Sequence, residues 1–570
     1  MAGTLGLGGR STAWASSGAP GKNVAVLGGG VGGLTAAHEL AERGFSVVVY
    51  EPVGFGGKAR SIPVPGTGRN GRKDLPGEHG FRFFPGFYQN LPDTMSRIPF
   101  PGNRNGCLGN LIDGSTIRMS RAGGRHDIFI PLDAADAPSW LTPEALRQLL
   151  AGWLETNMHL PPNELAYFAN RILVFLTSCD ERRFGQWEHT PWWDFVRAAK
   201  MSPEYQRMLA LGVTRNVVAT KAEVASTWTV AHMVEAFLWS ALRRGNYQSP
   251  DRLLDAPTNE AWIHPWLAHL ASLGVQLELG WKVTGMALDG GAIAGATVTN
   301  KAGATREIKA DWYVCAIPIE HCRTIWGPDI LAADPALRKA VTLDTDWMVG
   351  LQYFLRRRPP IVKGHVNYMD SPWALTSICQ AQFWPQDFAK SFGDGTVVDC
   401  LSVDISEWNK KGILYGKTAK ECTRQQVAEE VWAQLRAHLE DTGDEVLPEE
   451  GWHSWHLDPA VTDLGTPGAA NSEQLLIHPV GTLGKRPNAV TKIPNLFLGA
   501  DYVRNDIDLA TMEGANEAGR MAANGVLEAS GSTAPKVTLH TLYRAPELEA
   551  SKAHDQLRYR LGLPNLYDLG

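Results

Sequence analysis

Six residues near the start of the chain, Gly28-Gly29-Gly30-Val31-Gly32-Gly33, carry glycines at the spacing G-x-G-x-x-G. The first glycine of this motif permits a tight turn, the second lets the backbone approach a pyrophosphate, and the third lets a helix and a strand pack closely. The phosphates of a dinucleotide then lie at a helix N-terminus, whose free N–H groups favour anions. We therefore predict that a dinucleotide cofactor contacts Gly28, Gly30, Gly32 and Gly33.

An acidic residue, Glu51, follows the glycine motif by roughly 20 residues, the distance at which this motif places a ribose-binding carboxylate. A carboxylate there accepts hydrogen bonds from the adenosine ribose and repels a 2′-phosphate, so it favours FAD or NAD over NADP. The alternative interpretation of Glu51 is a solvated charge at the end of a strand.

The elements that must position these residues can be predicted from the local pattern. The apolar run Asn23 to Leu27 predicts a buried strand, apolar residues at helical spacing predict a helix over Leu34 to Arg43, and Val47 to Tyr50 predicts a second buried strand. A strand, helix and strand in this order form a right-handed crossover unit of a parallel sheet. The glycine motif therefore lies between a strand and a helix, where a phosphate-binding turn requires it.

A second glycine-rich segment, Gly56-Gly57-Lys58-Ala59-Arg60-Ser61, follows the acidic residue, and Glu78 to Asn90 (EHGFRFFPGFYQN) comes after it. In this order the segments resemble the flavin amine oxidase and phytoene desaturase superfamily. The amino-acid sequences of these segments most resemble those of plant-type phytoene and zeta-carotene desaturases and of hydroxysqualene dehydroxylases. The resemblance implies that the first segment wraps the FAD phosphates through Gly56, Gly57, Lys58 and Arg60, and that the second runs past the isoalloxazine ring with Gly80, Phe81 and Arg82.

The C-terminal part of the chain carries a further resemblance to this superfamily, in Ile493 to Tyr502 (IPNLFLGADY) and Thr511 to Ala515 (TMEGA). It implies that Asp501 hydrogen-bonds the ribityl and phosphate region. It also implies that a helix beginning with Met512 and Ala515 points at the flavin, where a helix N-terminus stabilises negative charge on reduction. By the same resemblance Val283 meets the adenine through its backbone.

With 570 residues the chain exceeds what one hydrophobic core usually organises. We predict an α/β fold, in which a Rossmann-type FAD-binding domain is combined with a discontinuous α+β substrate domain. The predicted segments are a flexible tail (1–22), the FAD-binding domain (23–100, 249–340 and 478–530), the substrate domain (101–248 and 341–477) and a C-terminal extension (531–570).

Composition excludes several classes of protein. The formal net charge of −6 provides no broad cationic surface, so nucleic acid is not an expected partner. The seven cysteines are scattered without a C-x-x-C pair or a zinc-like spacing, and we predict reduced thiols and no metal site. A secretory signal and a run of 18 apolar residues are both lacking, which predicts a cytoplasmic protein.

The resemblance favours hydride transfer from an apolar, isoprenoid or carotenoid-like substrate to flavin N5, by desaturation or a related dehydrogenation. Such chemistry needs a shaped apolar tunnel and few polar groups. An aromatic cluster between Trp187 and Trp239 is compatible with it, although ordinary core packing explains each of these residues equally well. One departure is the segment Ala256 to Trp262, which lacks the arginine of the desaturases' NPPERL.

Three alternatives stay open: a flavin amine oxidase, a redox-neutral carotene isomerase, and a flavin-bearing protein without turnover. The two polar candidates for catalysis, His79 and Arg82, could equally bind the flavin or satisfy a core hydrogen bond. We expect non-covalent FAD, because no His or Cys stands in a recognisable flavinylation context. A single G-x-G-x-x-G unit leaves no nicotinamide site, so oxygen or a quinone is the expected electron acceptor. A peripheral membrane association is expected through Asn163 to Leu176, if that amphipathic helix exposes its apolar face.

Overall fold

The computed structural model describes residues 22–132, 140–218, 220–245 and 248–568. The tail predicted for residues 1–22 lies outside this described part except for Lys22. The strands, in chain order, are β1 (Asn23–Leu27), β2 (Ser46–Glu51), β3 (Ser61–Val64), β4 (Leu75–Glu78), β5 (Leu111–Asp113), β6 (Thr116–Ser120), β7 (Ile128–Pro131), β8 (Arg252–Leu254), β9 (Gln276–Leu279), β10 (Trp281–Asp289), β11 (Ala292–Asn300), β12 (Thr305–Ile308), β13 (Trp312–Cys315), β14 (Thr345–Asp346), β15 (Val349–Leu355), β16 (Val366–Tyr368), β17 (Leu375–Cys379), β18 (Asp399–Ile405), β19 (Ser454–Leu457), β20 (Val461–Thr462), β21 (Ala470–Asn471), β22 (Leu475–Leu476) and β23 (Leu496–Leu498).

The α-helices are separated by loops and short 3-10 or π-helical turns. In chain order they are α1 (Val31–Ala41), α2 (Asn90–Arg97), α3 (Pro143–Asn157), α4 (Pro162–Leu176), α5 (Asp180–Gly185), α6 (Trp192–Phe195), α7 (Pro203–Tyr205), α8 (Gly212–Val218), α9 (Thr227–Ala241), α10 (His264–Ser272), α11 (Ile319–Ile325), α12 (Pro328–Ala333), α13 (Pro335–Ala340), α14 (Phe388–Ser391), α15 (Arg424–Leu439), α16 (Met512–Ala529) and α17 (Glu549–Arg560).

A five-stranded parallel sheet in the order β23-β13-β1-β2-β9 draws its strands from both ends and the middle of the chain. Its two central strands β1 and β2 are short apolar runs, as expected for strands covered on both faces, and α1 connects them. The predictions of strand, helix and strand at this place, and of an α/β fold with a Rossmann-type domain, are confirmed. The boundaries given for the two domains stay predictions.

The second sheet has seven strands in the order β19-β15-β18-β17-β16-β6-β7, and every pairing except β16 with β6 is antiparallel. Because side chains alternate along a strand, its two faces differ in character. One face is apolar and packs on α15, through Leu351, Tyr353, Leu401, Val403 and Leu375. The opposite face carries polar groups and glycine, and β4 and the residues after it cross this face.

The helical part from α3 to α9 is a core rich in aromatic residues, in which Trp187, Trp192 and Trp239 are buried. The prediction that a helix over Asn163 to Leu176 exposes an apolar face is wrong. Most of α4 is buried, including Phe168, Ile172 and Phe175, because α3 and α9 cover its apolar stripe. The periodicity showed the stripe correctly but could not show which element covers it. Among the described residues, none of the helices is long and apolar enough to cross a membrane.

The C-terminal extension packs on the body of the protein. Val537 bonds to Asn524 of α16, and the backbone N–H of His540 donates to Asn90 Oδ1 at 2.9 Å. Further on, Asp555 of α17 pairs with Arg182 of α5 at 3.0 Å, and both side chains are buried. The extension therefore ties helices of both predicted domains together.

Glu513, in the first turn of α16, forms a polar link between α16 and α2. Its buried carboxylate accepts hydrogen bonds from the backbone N–H groups of Gln89 (3.0 Å), Asn90 (2.7 Å) and Leu91 (2.8 Å). These are donors that a helix N-terminus leaves without partners, so Glu513 caps α2 from a distant part of the chain.

We predict that Glu513→Ala lowers the free energy of unfolding by about 3 kcal/mol or more, because it leaves several buried N–H donors unpaired. Urea unfolding followed by circular dichroism measures the change. The matched control is Glu528→Ala in the same helix, which removes an exposed carboxylate and should leave the unfolding midpoint unchanged. Equal midpoints for Glu513→Ala and the wild-type protein would contradict the capping role.

Candidate functional site

The glycine motif forms the turn between β1 and α1 at the carboxyl end of the parallel sheet. Gly28 has a φ of +105°, a conformation that favours glycine, and a side chain there would meet the Ala316 carbonyl oxygen at 2.7 Å. A Cβ built on Gly30, in contrast, has only the Gly57 Cα within 4 Å, at 3.9 Å. A side chain at Gly30 would therefore enter the space between the two glycine segments, where the nearest neighbour of its Cβ is backbone.

The N-terminus of α1 faces this opening without a cap. Its first residue follows Gly30, no side chain of the described residues accepts its N–H groups, and its first turn contains no acidic residue. Such a helix end has the N–H groups and the partial positive charge that a phosphate needs. The second glycine segment is attached to the glycine motif at this opening, because the Gly56 N–H donates to the Gly29 carbonyl at 2.8 Å.

Gly32 and Gly33 serve the packing of α1. A Cβ on Gly32 would overlap the Gly499 carbonyl oxygen, and a Cβ on Gly33 would overlap the Gly28 carbonyl oxygen. The Ala515 carbonyl oxygen also lies 2.9 Å from a Cβ built on Gly32. The structure therefore brings the glycine motif against the start of α16, where Met512 and Ala515 were expected. Thr511 caps this helix by accepting from the Gly514 N–H at 3.0 Å.

Glu51 ends β2 beside the glycine turn. Its carboxylate accepts hydrogen bonds from the N–H groups of Gly29 (3.0 Å), Val53 (2.9 Å) and Gly54 (3.2 Å). Burial raises its pKa, and these hydrogen bonds oppose the rise. The Gly280 N–H donates to the Glu51 carbonyl at 2.7 Å. Val283, a buried residue of β10, comes shortly after Gly280 in the chain and therefore lies near Glu51. Both residues predicted for the adenosine end thus lie at one edge of the sheet.

The basic residues of the second glycine segment meet acidic groups. Lys58 Nζ lies 3.1 Å from Glu320 Oε1 and also donates to the Gln474 carbonyl. Burial alone would lower the pKa of Lys58, but the carboxylates of Glu320 and Asp501 outweigh it and the pKa is raised. Asp501 is a half-buried acid whose pKa is raised, because desolvation outweighs the opposing charge of Lys58. The structure therefore brings Lys58 and Asp501, two residues predicted to bind the cofactor, close enough for their charges to interact.

Two residues of this region were missed from the sequence, and neither belongs to a recognisable motif. Glu473 lies 3.1 Å from Arg60 Nη2 and 3.6 Å from His79 Nδ1, so it links the phosphate side of the site to the next segment. Arg486 is buried and donates to the carbonyl groups of Asp501 (2.9 Å) and Val503 (2.7 Å). Arg486 thereby fixes the loop that carries Asp501.

The segment from Glu78 to Phe83 lies across the polar face of the seven-stranded sheet. The Glu78 N–H donates to Gln352 Oε1 at 3.1 Å, and the Gly350 N–H donates to the His79 carbonyl at 2.6 Å. A side chain on Gly350 would collide with this segment, because its Cβ would lie 2.6 Å from the Gly80 Cα. The residues expected beside the flavin ring are therefore held against the second sheet.

The two candidates for catalysis already have partners in the structure. His79 Nδ1 is hydrogen-bonded to the buried carboxylate of Asp458. Arg82 Nη2 donates to the Gly80 carbonyl, whereas its buried Nε has no partner among the described residues. These contacts fix the conformation of the segment, and they leave only part of the Arg82 guanidinium available to a ligand.

Several buried polar atoms between this segment and the sheet have no hydrogen-bond partner in the part of the chain that the structure describes. They include donors and acceptors from β15, β18 and the neighbouring loops, namely Arg82 Nε, Gln352 Nε2, His365 Nε2, Gln380 Oε1 and Asp404 Oδ1. Buried polar groups are nearly always paired in native proteins, so such a concentration is typical of a site that a ligand or water completes. We call this region the polar chamber.

Aromatic side chains form the adjoining wall. Phe81 and Phe83 are half-buried, and their rings lie 5.0 Å and 4.6 Å from the His365 ring. Phe237 of α9 stacks on Phe83 with ring centroids 6.3 Å apart. The polar chamber therefore adjoins an apolar surface of aromatic rings.

This arrangement fits a bound flavin dinucleotide. The uncapped N-terminus of α1 and the opening at Gly30 suit a pyrophosphate, Glu51 lies at the ribose position, and Lys58 supplies a cation. The N-terminus of α16 lies against the same turn, as a flavin ring edge that gains negative charge requires.

Comparisons with known proteins agree with this geometry. The model of a family described as flavin containing amine oxidoreductase matches residues 31–527. The carotenoid phi-ring synthase of Streptomyces griseus is 24% identical over 534 residues, which cover 92% of this chain and 90% of that protein. The prediction of an oxidoreductase from this superfamily, with a flavin cofactor, is confirmed.

Solved structures share the fold at low identity. The cyclohexylamine oxidase of Brevibacterium oxydans has a TM-score of 0.57 at 14% identity and covers 89% of this chain and 99% of its own. Wild-type putrescine oxidase bound to putrescine has a TM-score of 0.56 at 12% identity, with 89% and 98% covered. An oxidoreductase from Methanosarcina mazei has a TM-score of 0.55 at 14% identity, with 89% and 100% covered.

We predict that Gly30→Val folds normally but loses at least about tenfold in flavin affinity, because the new Cβ meets no atom closer than the Gly57 Cα at 3.9 Å and the side chain would occupy the space predicted for the pyrophosphate. Flavin absorbance per folded chain and titration of the apoprotein with FAD measure the loss. Gly32→Ala is the matched control: its Cβ overlaps the Gly499 carbonyl, so it should destabilise the apoprotein itself, by about 3 kcal/mol. A folded Gly30→Val protein with full flavin content would overturn the assignment.

Proposed function

The chain belongs to the family of flavin-containing amine oxidoreductases, and from that premise we propose that it is an FAD-dependent oxidoreductase acting on an extended apolar substrate of the isoprenoid or carotenoid class. Bound FAD would supply a two-electron acceptor, taking hydride from the substrate at N5. The chain's own residues would bind the cofactor, hold the hydrocarbon against the ring and exclude water.

The observation that carries this proposal is the aromatic wall beside the presumed ring position. Phe81, Phe83 and Phe237 offer half-buried apolar faces next to the segment that crosses the polar chamber. An apolar polyene gains free energy from such faces, at about 25 cal/mol per Å² buried. The near end-to-end similarity to a protein named carotenoid phi-ring synthase supports the same substrate class.

For the cofactor we propose non-covalent FAD, held by the predicted residues: Gly28, Gly30, Gly32, Gly33, Glu51, Gly56, Gly57, Lys58, Arg60, Gly80, Phe81, Arg82, Val283, Asp501, Met512 and Ala515. Within this set Gly32 and Gly33 act through packing, as described above. Non-covalent attachment is supported by the seven cysteines, which are all buried, and by His79, whose Nδ1 is engaged by Asp458.

Amine oxidation is the second candidate. The carboxylate of Asp404 faces the polar chamber and could accept the ammonium of an amine substrate. The Arg82 guanidinium beside it opposes this, because a second cation there repels the first. The amine oxidases named above share the fold at 12% and 14% identity, which says nothing of substrate.

Oxygen or a quinone is our proposal for the electron acceptor, since one glycine fingerprint serves one dinucleotide.

A peripheral membrane association stays a proposal too. With α4 buried, its support is the exposed Trp140 and Trp153 around α3, the residue type that prefers a bilayer interface.

We predict that acid precipitation of the yellow protein releases its chromophore, because no covalent bond would retain it. Chromatography of the supernatant should then identify FAD, the form whose adenosine ribose Glu51 would bind. Pigment that stays with the pellet, or FMN in the supernatant, would contradict the cofactor assignment.

We also predict that an isoprenoid substrate bleaches the flavin absorbance under anaerobic conditions. The panel consists of phytoene, carotenes, squalene derivatives and a set of primary and secondary amines, each mixed with the holoprotein in detergent micelles. Bleaching by an isoprenoid supports the proposal. Bleaching by amines alone would establish the second candidate, and product formation without net bleaching would indicate a redox-neutral isomerase.

A further inference from the structure

Asp404 is one of the acidic side chains in the protein interior that have a buried oxygen without a hydrogen-bond partner. It belongs to β18, it is 8% exposed, and its buried Oδ1 has no hydrogen-bond partner within the described residues. The buried carboxylates of Glu51 and Glu78 each accept two or more hydrogen bonds. A buried carboxylate oxygen without a partner is costly, so Asp404 needs an explanation.

Its position is set by the packing of two segments. Across the antiparallel pair, Asp404 stands opposite Gly350, and the segment His79 to Gly80 lies over both residues. A Cβ built on Gly80 would lie 2.7 Å from Asp404 Oδ1. The carboxylate therefore points from the second sheet into the polar chamber, toward the segment expected beside the flavin ring.

We propose that Asp404 is the base that accepts the substrate proton in the oxidation. The inference rests on the proposed function, in which desaturation removes a hydride and a proton from adjacent carbon atoms. Hydride loss leaves one carbon cationic and acidifies the C–H bonds of its neighbour. In the proposed step Asp404 takes a proton from that neighbour, the electron pair of the broken C–H bond becomes the second bond of the new double bond, and Asp404 becomes a neutral carboxylic acid. The two electrons of the oxidation leave with the hydride to the bound cofactor.

The charges around Asp404 suit such a role. Burial raises its pKa, and the opposing effects of Arg82, His79 and His365 and the like charge of Glu78 leave it at about 6. His365 is itself hydrogen-bonded to Asp251, at 2.7 Å. A base with a pKa near the working pH is ionised often enough to accept a proton and weak enough to release it afterwards. Ordinary ionised surface carboxylates are weaker bases.

The first experiment needs no substrate. Dicyclohexylcarbodiimide is an apolar reagent that modifies protonated carboxyl groups in apolar surroundings. We expect it to modify Asp404 of the FAD-loaded protein at pH 5, with a rate that falls as pH rises through about 6. Peptide mapping by mass spectrometry locates the product, and Asp404→Asn serves as the blank. An Asp404 that stays unmodified at pH 5 would show a carboxyl closed off from the chamber and would overturn the proposal.

The second experiment uses the compound that bleaches the wild-type flavin. In the wild-type protein the bleaching rate should rise with pH and reach half its maximum near pH 6, since the base acts as the carboxylate. Asp404→Asn should slow bleaching by about 100-fold or more at unchanged flavin content and remove this pH dependence. In Asp404→Ala, added formate should restore part of the rate, because a small carboxylate can occupy the vacated position.

The matched control is Asp399→Asn, which removes another buried carboxylate from β18. Asp399 pairs with Arg358 at 2.7 Å and lies at the other end of the strand, so this variant should bleach within about twofold of the wild-type rate. The two failures are distinguishable. A wild-type protein that no compound bleaches refutes the proposed function, whereas wild-type bleaching retained by Asp404→Asn refutes the role of Asp404 alone.

Discussion

Helix α1 approaches the C-terminal part of the chain so closely that no side chain fits between Gly32 and the Gly499 carbonyl oxygen. The reverse contact has the same character, because a Cβ on Gly519 of α16 would overlap the Gly32 carbonyl oxygen. This glycine-to-backbone packing brings the phosphate turn, the end of β23 and the start of α16 to one point. The cofactor site therefore needs both ends of the chain, and it is complete only after β23 and α16 have docked.

Glycine also permits close packing between the seven-stranded sheet and the segment after β4. Because Gly350 has no side chain, the segment after β4 can lie flat on the seven-stranded sheet, where the His79 carbonyl accepts a hydrogen bond from the Gly350 N–H. The alternation of β15 and β18 then places an apolar layer under α15 and a polar layer under this segment. One sheet thus supplies both a stable core and a chamber wall.

The sequence was sufficient for the parts that short segments determine. The strands and helix around the glycine motif, β1, α1 and β2, follow from local periodicity. Residues whose role depends on distant partners could not be predicted. Glu473 can be recognised as part of the site only from its contacts with Arg60 and His79. The apolar stripe of α4 can be recognised in the sequence, but the helices that cover it cannot. The extension after α16 packs through contacts with residues hundreds of positions earlier, which no local pattern records.

The unpaired polar atoms of the polar chamber also affect the free energy of folding. Each buried polar group without a partner costs about 1 to 3 kcal/mol, and a domain is stable by only about 5 to 15 kcal/mol. Gln352, His365 and Asp404 each have a buried polar atom without a partner among the described residues, so a water or ligand that pairs with these atoms would stabilise the protein. If the proposed function holds, an apolar substrate leaves these groups without partners, so water or a polar part of the cofactor would have to pair with them. A polar wall of this kind would also serve the proposed reaction, because polar groups held in place before the reaction stabilise the charge that develops in the transition state.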